Sequence, residues 1–192
     1  MLLKALALNG MTEADVTLVN VPTNDTPQTL ASGGVDAIAA WQPNAGAALS
    51  ALPGAKTIFS SKDVPGLIYD FVAVSSESAG ARKADWLKFV GVWPKIVAYI
   101  NDPMTQADAV ALMAARVNVP AATYAALLPG TRLLDGPANQ QAFKAGTSLD
   151  SVLGSMAVAD AFNVANKVYA APVAIAQVID ASFVSTLKNA AH

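Results

Sequence analysis

A protein that does chemistry needs a proton carrier, an activated nucleophile, a metal cluster or a set of oriented hydrogen-bonding groups, and this chain holds little of the first three. Its 192 residues contain one histidine, the terminal His192, and no cysteine. Chain ends are commonly frayed and solvated, so His192 reads as a terminus rather than a base. Without cysteine there are no thiolate nucleophiles, disulfides or sulfur-ligated metals. Serine with no neighbouring base remains a weak nucleophile, which excludes Ser-His-Asp chemistry. The 14 acids are scattered, with no pair at i, i+3 or i+4 spacing. That spacing would set two carboxylates on one helix face for acid–base work or oxygen ligation. Glu13 and Asp15 read as solvating a turn, and Gly33-Gly34 as a helix stop that lacks any phosphate-cradling spacing. The expectation is a chain that is not an enzyme and takes no metal or cofactor.

Oriented polar groups are the remaining possibility. Two compact apolar runs, Val16 to Val21 and Val35 to Trp41, are closed by polar residues, Thr23-Asn24-Asp25 after the first and Gln42-Pro43-Asn44 after the second. If both runs are strands, these residues lie at carboxyl ends of strands, where open α/β sheets place ligands. Trp41 beside Gln42 offers an apolar plate with a directional amide, suited to a small polar ligand. Trp41 as a core residue with Gln42 as a helix cap is the alternative, and the sequence leaves both open. Asp36 and Thr23 complete one candidate wall, with Asp36 equally readable as a structural cap. Tyr69 and Asp70 stand at the start of a later apolar run and are further candidates, although Asp70 also reads as an ordinary strand-end acid.

The elements that would position these groups change along the chain. Helix is expected over residues 2–9, stopped by Asn9-Gly10, and over 27–31 before Gly33. Strands are expected at 16–21, 35–41, 57–59 and 70–74, and a strand-helix-strand order favours a small, mostly parallel sheet. From Ala81 the spacing turns helical. Trp86, Phe89, Val90, Trp93, Ile96, Val97 and Ile100 recur at threes and fours as one apolar stripe that reads as core, with a kink expected at Pro94. Further helices are expected over 105–116, from Pro120, and over 137–144, 149–169 and 173–189. The organisation is therefore an α/β region at 1–80 followed by a helical region at 81–192 packing on it. Apolar residues make up 54% and charged residues 14%, so a folded interior is expected. With a net charge of −2 and no basic cluster, nucleic acid is not an expected partner. The longest uncharged stretch, 37–55, is broken by Gln42, Pro43, Asn44, Pro53 and Gly54 and is not expected to span a bilayer.

The run from Ala31 to Pro43, ASGGVDAIAAWQP, resembles a segment of the solute-binding proteins that serve ABC importers of nitrate, sulfonates, taurine and pyrimidine precursors. Other stretches agree in order. LLKAL at 2–6 with Gly10 and Asp15-Val16 looks like that family's opening of its second lobe, and Asp70 to Glu77 like the strand returning toward the first. Pro129-Gly-Thr-Arg132, Asn139, Ala142-Phe143, Gly146 and Ser148-Leu149 resemble its late segment.

The resemblance implies a type II periplasmic-binding-protein-like lobe, here a partial one, in a receptor that is periplasmic or held outside the cytoplasm by a lipid anchor. It also implies partnership with permease subunits. Family members carry a signal peptide and a first lobe ahead of the segment matched at Met1, and neither is expected within this sequence. Ligand binding by this chain alone is accordingly expected to be weak, and dimerisation through an exposed sheet edge is expected. Enzymes of similar architecture in pyrimidine biosynthesis rely on a histidine and a cysteine-rich segment, which this chain lacks. A helical scaffold protein with no small ligand is the other reading.

Overall fold

The computed structural model describes residues 1–187. His192 and the end of the helix expected over 173–189 lie outside the described residues. The described chain is helical, without a β-strand. The expected α/β class, its parallel sheet and the binding-protein-like lobe are thereby corrected. So is the sheet edge through which a dimer was expected, because the described residues form no sheet to supply one.

The reason lies in the backbone of the four apolar runs. Between residues 17–21, 35–41, 57–59 and 70–74 no backbone N–H donates to a backbone carbonyl. These stretches are non-helical but do not pair, and several of their apolar side chains face solvent: Leu18, Val19, Ile58, Phe71 and Val72 are all exposed. Strands are stable only when a ladder and a covered face form together, and runs of three to seven residues do not achieve this singly.

The chain divides into two compact units, Met1–Val64 and Pro65 onward. The first holds α1 (Leu2–Leu8), α2 (Thr26–Ala31) and α3 (Asn44–Ala51), with short 3-10 turns at Glu13–Asp15, Thr23–Asp25 and Ser61–Asp63. α1 ends where Asn9-Gly10 places a stop, Gly10 taking a φ of 68° that glycine accepts freely. α2 and α3 pack on each other. Leu6, Thr26, Ala48 and Val64 are the buried residues of this unit.

The second unit holds α4 (Ser76–Ala81), α5 (Lys83–Asn101), α6 (Gln106–Val117), α7 (Ala121–Leu127), α8 (Gly136–Ala142), α9 (Val152–Ala165) and α10 (Ile175–Val178). α5 continues as one helix through Pro94, whose ring is buried. α6 closes on Asn118 in the left-handed region, and Pro120 sits immediately before α7 with the backbone angle a helix start requires. Asp135 caps α8, its Oδ1 accepting from the Ala138 N–H at 2.9 Å. Val97, Ile100, Ala109, Val110, Ala114 and Val152 lead the core. No single described helix is long and apolar enough to cross a membrane.

The apolar stripe expected to be core on α5 splits in two. Val97 and Ile100 are buried, while Phe89, Trp93 and Ile96, with Val92 and Tyr99, form an exposed band beside them.

Three tyrosines of this unit hold their protons above the ordinary value of 10.0. Burial is the main cause for Tyr69, with the charge of Asp150 adding to it and that of Arg132 opposing. Tyr99 donates to the Asp108 carboxylate, which favours the protonated phenol. For Tyr169 the hydrogen bond from Asn163 pulls downward, and the bond donated to Asp160, burial and the Asp160 charge together outweigh it. A phenol whose folded value is raised stabilises the fold fully below its unfolded value, and that contribution is lost as pH rises through the folded value. The melting temperature should therefore fall as pH is raised above 10, and a Tyr99→Phe, Tyr169→Phe double variant should show a shallower fall. An unchanged slope in the double variant would show that these bonds are not formed.

Candidate functional site

The sequence from α2 to α3 shows how Trp41 and Gln42 are held. α2 ends at Ser32, and Gly33 reverses the chain with a φ of 74°. Gly34 still donates to the Thr29 carbonyl at 3.0 Å, and from Val35 to Ala40 the chain then runs without backbone pairing. From there the carbonyl of Trp41 accepts the Ala45 N–H at 3.0 Å, and Oε1 of Gln42 accepts the Gly46 N–H at 3.0 Å. Two of the otherwise unpaired donors of the first turn of α3 are thus satisfied by this dipeptide.

Gln42 is therefore a cap, and its Nε2 makes no hydrogen bond among the described residues. The Trp41 backbone is fixed by α3, yet its side chain is not core: the residue is 66% exposed. Of the reading that made Trp41 core and Gln42 a cap, the cap is found and the core placement is not.

Thr23 opens the 3-10 turn before α2, and its carbonyl accepts the buried hydroxyl of Thr26 at 2.8 Å. The Thr23 residue is exposed, as is Asp36, and the Asp36 carboxylate makes no hydrogen bond among the described residues. No hydrogen bond joins Thr23, Asp36, Trp41 and Gln42 to one another. They share one compact unit, and only Trp41 and Gln42 are held on the same structural feature.

Tyr69 and Asp70 belong to the second unit. The Tyr69 hydroxyl donates to the Leu149 carbonyl at 3.1 Å, and its ring stacks on Phe71 with centroids 6.0 Å apart. That bond ties Tyr69 to the segment before α9, a structural engagement the sequence did not signal. Asp70 is exposed. Among the described residues no three of His, Asp and Glu converge on a point that would hold a metal.

No family model, curated protein or solved structure matches this chain. The functional assignment therefore depends on the residues themselves. Chemically, this arrangement presents an indole face, an amide donor and, within the same unit, a carboxylate and a hydroxyl. Groups of these kinds can contact a small polar molecule by stacking and hydrogen bonds.

Proposed function

We propose that this chain is a solute-binding component of an ABC importer, taking a small polar or anionic organic solute such as a sulfonate, taurine, nitrate or a thiamine-precursor pyrimidine. The observation that carries this reading is the 66% exposure of Trp41 on the capped start of α3, at the end of the run whose residues resemble that family's binding segment. A large aromatic residue fixed in its backbone and open on its face suits ligand contact better than packing. The fold implied by the resemblance does not accompany it, so the reading rests on residues and not on architecture. Permease subunits are the expected protein partners and an extracytoplasmic location the expected setting. The same reading makes the chain a binder and not a catalyst.

Asp36 supplies the only formal charge among Thr23, Asp36, Trp41 and Gln42. It favours a zwitterion or a neutral heterocycle over a bare anion. An indole this exposed leaves much of a bound solute in water, so affinity is expected to be weak, with dissociation constants in the millimolar range. Isothermal titration of taurine and a thiamine-precursor pyrimidine into the chain should show such binding, and Trp41→Ala should abolish it. Absence of heat from every solute, or an unchanged isotherm in Trp41→Ala, would contradict the proposal.

A second reading, a helical interaction protein, is favoured by one observation. Phe89, Val92, Trp93, Ile96 and Tyr99 lie at helical spacing on α5 and are all exposed. In that case solutes leave the chain unaffected and substitutions on this band, not at Trp41, alter its behaviour.

A further inference from the structure

The second unit contains a cavity that the Trp41 region does not touch. After α7 the chain makes a 3-10 turn at Leu128–Gly130, and this turn with residues 131–133 lines a cavity together with the end of α5 and the start of α6. Between these segments lies a partly open space of about 350 Å³. That volume falls at the small end of pockets that hold organic ligands, roughly 300–1,000 Å³.

Its walls combine two kinds of surface. Leu128 and Leu133 supply apolar area, while Asn101, Gln106, Thr131 and Arg132 supply polar groups. The amide nitrogen of Gln106 is already used, donating to the Ile100 carbonyl at 3.1 Å. Arg132 forms no ion pair and its guanidinium makes no hydrogen bond among the described residues, where the ion pair present is Arg82 with Asp85. No carboxylate lines the cavity. Asp150 and Arg132 both act on the Tyr69 phenol, but Asp150 is not among the walls.

A guanidinium is always charged and presents a planar fork of donors that matches two oxygens of a carboxylate or sulfonate. Here Arg132 shares the cavity lining with Thr131, Asn101 and the two leucines, and no acid is among the lining residues to compete for its fork. We infer that this cavity is a second binding site, for a small organic anion with a carboxylate or sulfonate head and a short apolar tail. The head pairs with Arg132 and Thr131, and the tail lies against Leu128 and Leu133. The site is independent of the solute-binding reading, because it lies in the other unit from Trp41.

Titration calorimetry of the full chain with hexanoate and hexanesulfonate tests this, with hexanol and inorganic sulfate as controls. Both organic anions should bind. Arg132→Gln should weaken them roughly tenfold or more, and Arg132→Lys less, since an ammonium keeps the charge but loses the fork. Leu133→Trp, which fills the cavity, should block binding, whereas Trp41→Phe should leave it unchanged. Circular dichroism of Arg132→Gln is expected to match the wild type, because that side chain makes no hydrogen bond or ion pair among the described residues. Three results would each overturn the inference: no binding of either anion, equal binding by Arg132→Gln, or loss of binding in Trp41→Phe. Hexanol binding as tightly as hexanoate would do so as well, by showing that the apolar wall alone is at work. A lost response in Trp41→Phe would place the anion at the first unit, and thus separate failure here from failure of the importer proposal.

Discussion

Gly154→Ala should destabilise the second unit by about 3 kcal/mol, the upper range for forcing extra volume into a packed site. A β-carbon at this buried position on α9 would meet the Ser148 carbonyl oxygen, and would lie 2.6 Å from the Thr147 carbonyl carbon and 2.8 Å from that of Ser148. All three are backbone atoms, so no side chain can swing away to relieve the contact. Gly91, inside α5, provides the opposite case. Nothing lies within 4 Å of a β-carbon there. Removing the backbone freedom of a helical glycine stabilises by roughly 0.5–1 kcal/mol. Urea denaturation of both variants measures the pair. Equal effects of one sign would show that the segment 147–149 does not pack against α9.

Val152→Asp should have the larger cost of the substitutions within the core, several kcal/mol, enough to unfold a marginal unit. Val152 is 1% exposed at the start of α9. A carboxylate placed there loses its water and gains no partner. Val152→Ala removes only packing, and about 2 kcal/mol is expected. Chemical denaturation of Val152→Ala together with the helical circular dichroism of Val152→Asp checks both. Native helicity and a wild-type midpoint in Val152→Asp would mean that the start of α9 is open to water.

These two positions show which features the residues reveal in advance and which they conceal. Helices were readable because their signals are local. Asn9-Gly10 stops α1, Pro120 precedes α7, and the threes and fours of α5 are all within one turn of each other. Sheet formation is a non-local property, and apolar runs such as 16–21 and 70–74 have the composition of strands whether or not a partner reaches them. The absence of any ladder between them among the described residues overturned the α/β expectation. Periodicity on α5 likewise identified an apolar helix without telling which part of the band is covered: Val97 is buried while Phe89 is 56% exposed. Gly154 carried no signal at all, because what crowds it is the backbone of the loop leading into α9, whose fold back onto the helix the residue types do not announce.

The candidate site was legible to a similar degree. Trp41 and Gln42 stood out by type and adjacency, but whether the amide served the ligand or the helix depended on the Gly46 N–H four residues on. Tyr69 was marked without any hint that Leu149 would occupy its hydroxyl. Arg132 stands out in the sequence only as part of the Pro129-Gly-Thr-Arg132 motif, and the cavity it lines is formed with residues of α5 and α6 far from it in the chain.

The importer-component proposal depends on Trp41 meeting a solute, and the three indole N–H groups distinguish that from its rival. Trp86 Nε1 donates to the Ser78 hydroxyl at 3.0 Å and Trp93 Nε1 to the Leu134 carbonyl at 2.6 Å, while Trp41 has no such partner among the described residues. In a nitrogen–proton correlation spectrum recorded during titration with taurine or a thiamine-precursor pyrimidine, the Trp41 indole resonance should move to saturation. Those of Trp86 and Trp93 should stay in place. A spectrum in which Trp41 does not move, or in which Trp93 on the exposed α5 band moves instead, would contradict it.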